Sequence, residues 1–254
     1  MDTLIQQLWY LLSNYQELFI EGIINTLLIA LFGTIIGMVL GMILLFFRTL
    51  EATDYDSKII IFLKAFGRKL SAAYIDIVRG TPMMVQAMIF FYGFASGIKM
   101  PVFYAAIFIV SFNTAAYIAE VIRSGVNALG KGSFEAAYTL GMSKFQTLRY
   151  VVYPQVIKNS LPALLNELII NVKDSSVLSV IGFTDLFYNA KAASSETYMT
   201  VQAFILVAII YLIITFSLTK IISLISKKVF ENDTKLLQDT NQNLAPEVSL
   251  GGAI

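Results

Sequence analysis

One long apolar segment, at residues 19–47, most constrains how this chain can fold. It holds a single charged residue, Glu21, near its start. A helix of this length can cross a hydrocarbon core that is about 30 Å thick. Only 14% of the whole chain is charged and 57% is apolar, whereas soluble domains carry about 25% charged residues. We therefore predict an all-α membrane protein.

Four more apolar segments follow, and they predict about five transmembrane helices in all: residues 19–47, 70–94, 103–121, 161–181 and 199–225. The second is interrupted by Asp76 and by Arg-Gly-Thr-Pro at 79–82, where proline removes a backbone donor and predicts a break. The fourth is interrupted by Glu167, Lys173 and Asp174. In the first, Gly33, Gly37 and Gly41 recur every four residues, which favours close packing of another helix or reflects ordinary glycine tolerance in membrane helices.

The remaining segments are polar. Residues 1–17 predict a short extracytoplasmic interfacial helix, with Trp9 and Tyr10 at the headgroup level. The N-terminus lacks the basic flank of a cleavable signal peptide, so we expect it to be retained. Residues 48–69 and 184–197 are predicted as polar loops. After a membrane domain at 18–228, residues 229–254 form a polar tail, predicted to be disordered in about its last fifteen residues.

The distribution of basic residues orients the predicted helices. The loop at 48–69 holds five Lys or Arg, and further basic residues lie in the loop after the third span and in the tail. The two other loops hold one lysine each, Lys99 and Lys191. By the positive-inside rule, the N-terminus lies outside and the C-terminus in the cytoplasm.

The chain has no Cys and no His. These absences exclude disulfides and weigh heavily against a zinc site or a histidine-based catalytic triad. The Gly-rich run 125–131 resembles the start of a phosphate-binding loop, but Gly132 stands where Ser or Thr would bind Mg²⁺, and the run follows a membrane helix rather than a strand. We expect no cofactor and no nucleotide site in this chain.

A polar insert at residues 130–154 separates the third and fourth spans. Ser133 is a good N-cap for a short helix, and Gly141 can end that helix. Ala136, Ala137 and Leu140 would form a compact apolar side. Such a helix fits a groove on a partner, although a solvated helix that touches nothing has the same pattern.

The insert resembles the EAA motif of ABC importer permeases. Its residues are Glu135-Ala136-Ala137, then Gly141 after three residues, and Val-Val-Tyr-Pro at 151–154 where the family usually has Ile-x-Leu-Pro. The segments at 74–82, 85–86, 115–125, 161–167 and 173–177 are similar to the polar amino acid subfamily, which includes histidine, glutamine, arginine and cystine importers. The resemblance covers about residues 25–227.

This resemblance implies a type I importer permease of the bacterial cytoplasmic (inner) membrane. Two permease subunits, copies or paralogues, would form the path, and an extracytoplasmic binding protein would deliver the amino acid. Two ATP-binding subunits, which hold the ATP and Mg²⁺, would dock on the insert. Glu135, Ala136, Ala137 and Gly141 are the implied coupling residues. The chain itself would then not be an enzyme.

Charges at membrane depth usually mark a transport pathway. On a helix, Glu167, Asn171 and Asp174 share one face, and their carboxylates could hold an ammonium group or a basic side chain. Arg79 or Lys173 could hold the substrate carboxylate, with neutral hydrogen bonds from Gln86 and Asn113. Alternatively, these charges only pair with one another. Glu120 most simply pairs with Arg123, three residues on.

Two other classes of function compete with the importer. A stand-alone secondary transporter or channel for small polar solutes predicts inverted repeats or a polar stripe along a pore, and no internal repeat is evident. A membrane enzyme needs a nucleophile with a positioned base, which the absence of His and Cys disfavours.

Overall fold

The computed structural model describes residues 3–50, 52 and 56–248. For residues 230–248 it describes the backbone only. These residues form helices and turns. The α-helices are α1 Leu4–Asn14, α2 Gln16–Arg48, α3 Lys58–Gly80, α4 Met83–Phe90, α5 Val102–Ala128, α6 Gly132–Thr139, α7 Lys144–Gln146, α8 Tyr153–Asp174, α9 Leu186–Thr197 and α10 Thr200–Val248. The α4 helix is extended by a π-helical segment, Phe91–Ala95. A second π-helical segment, Thr147–Val152, leads into α8, and a 3₁₀ segment, Ser175–Ile181, follows α8. The prediction of an all-α fold is confirmed.

Within the described residues, three helices are long and apolar enough to cross a membrane: Gln16–Arg48, Val102–Ala128 and Thr200–Val229. They correspond to the first, third and fifth predicted spans. The second predicted span is divided between α3 and the shorter apolar segment Met83–Ala95. The fourth is divided between α8, which contains the charged residues, and the 3₁₀ segment. The interruption predicted at 79–82 is therefore present, whereas α8 continues without a break through Glu167 to Asp174.

The α2 and α5 helices pack closely along a glycine face. A Cβ on Gly33, Gly37 or Gly41 would lie within 3 Å of Val110, Thr114 or Ile118 on α5. These distances are too short for real side chains, so the glycines permit the contact. The two helices run in the same direction, and α5, buried along much of its length, is the centre of the bundle.

One end of the bundle is closed by α9, in the segment predicted as a polar loop. That prediction is wrong because Asp185 caps the helix, accepting a hydrogen bond from the Tyr188 amide at 2.9 Å, and because one side of α9 is apolar. This side forms a hydrophobic core with α1, α2 and α10: Leu11, Phe19, Leu186, Ala190, Ala193, Ala203, Leu206 and Val207. The predicted N-terminal helix is present as α1.

At the other end, two predicted boundaries change. The α3 helix begins at Lys58, inside the predicted loop at 48–69, because the Ser57 hydroxyl caps it by accepting from the Ile60 amide. The α10 helix continues through the polar tail to Val248, where the sequence predicted disorder from about residue 240. Between residues 226 and 245 there is no Pro or Gly to stop it. The tail's last residues, 249–254, lie outside the described part.

Candidate functional site

The break between α3 and α4 is held by Gln86. Its Nε2 donates to the Val78 carbonyl at 2.8 Å, the Thr81 carbonyl at 3.0 Å and the Thr81 hydroxyl at 2.7 Å. Asn113 on α5 in turn donates to Gln86 Oε1 at 3.1 Å. The predicted break at 79–82 is thus confirmed, and the two neutral residues predicted to bind substrate also satisfy the backbone that the break exposes.

A second polar layer crosses the bundle one residue further along α5. Asn171 on α8 donates to the Thr34 hydroxyl at 2.9 Å and to the Thr114 hydroxyl at 3.0 Å. Thr34 itself donates to the Ala30 carbonyl at 2.6 Å. This layer ties α8 to α2 and α5, and the two layers together place polar side chains on two adjacent faces of α5.

The predicted face of α8 carries one buried acid. Glu167, one turn before Asn171, is 7% exposed, and its carboxyl makes no hydrogen bond with another described residue. Asp174, the last residue of α8, is partly exposed, and Lys173 is exposed. The structure therefore brings Glu167 and Asn171 together inside the bundle, with Asp174 at the helix end and Lys173 turned outward.

An apolar groove of about 490 Å³ begins at the break and lies between α3, α4 and α5. Thr81 and Gln86 are its polar members. Aromatic and aliphatic side chains line the rest: Ile77, Val78, Val85, Ile89, Phe90, Phe94, Phe108, Ile109 and Phe112. Its size fits the range of small-molecule sites.

Arg79 belongs to an ion cluster rather than to this groove. Its Nη1 lies 3.8 Å from Glu120 Oε1, and its guanidinium stands over the Tyr117 ring at 5.6 Å. Glu120 also pairs with Arg48 on α2, Nη1 to Oε2 at 3.6 Å. Arg123 holds Glu120 with two nitrogens, one of them Nε at 2.9 Å from Oε2. The predicted Glu120–Arg123 pair is confirmed, and it is the centre of a larger group that we call the arginine cluster: Arg48, Arg79, Arg123 and Glu120.

The polar insert folds into a short helix on a capped base. Gly130, at φ +70°, turns the chain before Lys131, so α6 starts at Gly132 and Ser133 lies inside it. The prediction of Ser133 as N-cap is therefore wrong. At the other end, Gly141 has φ +76°, and the amides of Gly141 and Met142 donate to the carbonyls of Tyr138 and Ala137. The predicted helix end at Gly141 is confirmed.

The residues of the predicted apolar side of α6 do not all face the same way. Ala137 is 3% exposed and packs towards the π-helical segment Thr147–Val152, whereas Ala136 is exposed and Leu140 is 80% exposed. This differs from the expected single apolar side, because of the three predicted residues only Ala137 faces the chain itself. Below α6, the Ser143 side chain and Gln146 form a capping box, which fixes the base. Leu140 is left as an outward apolar knob.

Residues 59–231 match the family described as the binding-protein-dependent transport system inner membrane component. The chain belongs to this family. It is 34% identical over 227 residues to a putative glutamine transport system permease protein of Rickettsia conorii, covering 88% of this chain and 99% of the relative. It is also 34% identical over 216 residues to the arginine transport system permease protein of Bacillus subtilis, covering 84% and 93%.

Solved structures show the same fold. A crystal structure of an amino acid ABC transporter with histidines matches with a TM-score of 0.76 and 33% identity, over 90% of this permease and 99% of that chain. An inward-facing methionine ABC transporter matches with a TM-score of 0.66 and 19% identity, over 84% and 97%. The second likeness shows the fold alone. The fold of this permease is that of ABC importer permeases.

Sequence reasoning missed two parts of the polar interior of the permease. Arg48 was counted as a loop charge, since nothing local shows that the last residue of α2 reaches Glu120. Asp185, fully buried, bonds the Ser175 hydroxyl at 3.3 Å and the Tyr211 hydroxyl at 3.2 Å. The only sequence signal for it was an Asp immediately before an apolar residue, which is typical of an N-cap.

Proposed function

We propose that this chain is the membrane-spanning permease subunit of an ATP-driven importer of polar amino acids. It forms part of the translocation path and couples through its insert to a separate ATP-binding subunit. The observation that carries the proposal is α6, a helix whose Leu140 is 80% exposed on a capped base between α5 and α8. Support comes from the relatives, which are named as glutamine and arginine transport permeases.

The base of α6 explains how force would enter the bundle. The π-helical segment Thr147–Val152 leads directly into α8, and Val152 is buried in a core shared with Leu45, Ile118 and Leu164. A partner that moves α6 would therefore move α8 against α2 and α5. Because α8 carries Glu167 and Asn171, this displacement would reach the polar interior, which is the physical basis of alternating access.

For the complete importer, we propose two permease subunits, two ATP-binding subunits and an extracytoplasmic binding protein. The N-terminus faces outside and the C-terminus faces the cytoplasm, which places α6 beside the ATP-binding subunits. ATP and Mg²⁺ are held by those subunits.

The substrate site remains the set predicted from the sequence: Arg79, Gln86, Asn113, Glu167, Lys173 and Asp174. The structure supports Glu167 most, because it is buried without a hydrogen-bond partner among the described residues, which leaves its carboxylate free to hold an ammonium or a basic group. Gln86 borders the groove beside the break, where it would meet the same substrate.

The test is uptake by the assembled complex. Proteoliposomes holding this permease, its ATP-binding subunits and the binding protein should accumulate a radiolabelled polar amino acid only with ATP. Inactivating the nucleotide site of the partner should abolish uptake. Competition by each of the common amino acids would identify the substrate. Equal uptake without ATP would indicate a secondary transporter or a channel instead.

A further inference from the structure

The arginine cluster carries more positive than negative charge. Three guanidinium groups, from three different helices, contact the single carboxylate of Glu120. Asp76 also attracts Arg123, which still leaves one positive charge in excess among the described residues. Glu120 is partly enclosed, its side chain 17% exposed. The side chains of Arg79 and Arg123 are 40% and 39% exposed, which leaves the surplus charge open to an anion.

Arg48 shows where the compensation is incomplete. Its Nη1 is shielded from solvent and has no hydrogen-bond acceptor among the described residues. Glu120 Oε2, at 3.6 Å, is close enough for an ion pair but too far for a hydrogen bond. A guanidinium has five donors in a fork that matches the oxygens of a carboxylate or a phosphate. Arg48 therefore has donors available for an oxyanion.

A second apolar groove, of about 780 Å³, lies between α2 and α3. Its walls include Leu44 and Phe47 on α2 and Phe66, Leu70 and Tyr74 on α3. Phe47 immediately precedes Arg48. Leu44 and Tyr74 also pack on a small core of Ile75, Val78, Ala116 and Ala119, and the residues that follow Val78 and Ala119 are Arg79 and Glu120. Leu44 and Tyr74 thus connect the groove to the helix segments that carry Arg79 and Glu120, and Phe47 connects it to Arg48.

We propose that this groove and the arginine cluster together bind one anionic phospholipid. The phosphate would pair with Arg48 and Arg123, and an acyl chain would lie along the groove. Basic pockets between membrane helices at one leaflet are suited to anionic headgroups. A second copy of the chain fits less well. A two-fold dimer contact uses the same surface on both copies, so it would set two cationic clusters face to face.

The experiment measures lipid retention by native mass spectrometry. The permease with its ATP-binding subunits is exposed to equal amounts of dioleoyl phosphatidylglycerol and dioleoyl phosphatidylcholine, whose acyl chains are identical. Wild type should retain the anionic lipid preferentially. Arg48→Gln should lower the retained ratio about fivefold, and Arg48→Gln with Arg123→Gln about 25-fold, since each arginine near an anionic lipid contributes about that factor. Glu120→Gln should raise the ratio, an effect that mere loss of structure would not produce.

The matched control is Arg68→Gln with Lys69→Gln, two exposed cations on α3 outside the cluster. An equal fall in the control would show general surface attraction and overturn the site.

The chain has no Cys, so Leu70→Cys tests whether a second copy of the chain occupies the groove instead. A disulfide between two permease copies through this residue would place a second copy in the groove and overturn the proposal. An unchanged ratio in the arginine variants, with altered uptake affinity, would assign the cluster to the substrate carboxylate instead. The ratio of retained anionic to zwitterionic lipid does not depend on transport. The lipid proposal and the importer proposal can therefore fail independently of each other.

Discussion

Among single residues, Glu167 is the one whose substitution should most clearly change transport without lowering stability. Its carboxyl is enclosed in the bundle and makes no hydrogen bond with another described residue, so its charge does little for the fold. Glu167→Gln keeps the size of the side chain and removes the charge. We expect the half-saturating amino acid concentration for uptake to rise about tenfold, since a hydrogen bond to a charged group contributes about 1.5 kcal/mol.

The same variant should melt at the same temperature as wild type or higher, because an unpaired buried charge is lost. Thermal unfolding of the purified complex provides that measurement, and Glu21→Gln, at an exposed position, is the control for loss of one acid. Unchanged uptake with a lower melting temperature would show that Glu167 serves only the bundle.

Gly41 tests the packing of α2 on α5. A Cβ there would lie 2.9 Å from the Ala115 carbonyl oxygen and 2.8 Å from Ile118 Cγ2, and the backbone atom cannot move aside. Gly41→Ala should therefore destabilise the permease by about 1–3 kcal/mol, the usual result of overpacking. Gly93→Ala is the matched control, because no described residue outside its own stretch of helix lies within 4 Å of the added Cβ. Equal melting temperatures for the two variants would contradict this account of the glycine face.

Among the elements, the insert shows what sequence could and could not predict. The helix and its end at Gly141 followed from local chemistry. Its start did not, since the turn at Gly130 displaced the expected cap at Ser133. The division of Ala137 and Leu140 between inside and outside depends on the packing of α6 against the segment before α8, which no periodicity over eight residues can reveal.

Leu140 gives the prediction at this scale. If it enters a groove on the ATP-binding subunit, Leu140→Glu should abolish co-purification of that subunit and reduce substrate-stimulated ATP hydrolysis at least tenfold, because a charge would be buried without a partner. Leu140→Met is the control, since it keeps an apolar side chain of similar volume. A complex that stays intact and active with Leu140→Glu would mean that α6 docks through another face, or not at all.

For the whole molecule, the sequence predicted the helical class, three complete spans and the interruption at 79–82, because hydrocarbon tolerates few charges and no unpaired backbone. It did not predict the helix at Leu186–Thr197 or the helical continuation to Val248. Both lie outside the apolar segments, where composition gives a weaker signal and where a cap at Asp185 or the lack of breakers decides the outcome. In the arginine cluster, Glu120 contacts Arg48, 72 positions before it (120 − 48), and Arg79, 41 positions before it (120 − 79), so only tertiary packing could reveal these two contacts.

Orientation is a property of the whole molecule and can be tested with single cysteines, since the chain has none of its own. Ser195 on α9 and Gln155 at the start of α8 are both exposed and lie at opposite ends of the bundle. In intact cells, a membrane-impermeant maleimide should label Ser195→Cys and leave Gln155→Cys unlabelled until the membrane is permeabilised. The unmodified chain gives the background. Labelling in the reverse order would invert the topology and place α6 away from any cytoplasmic ATPase, which would contradict coupling through the insert.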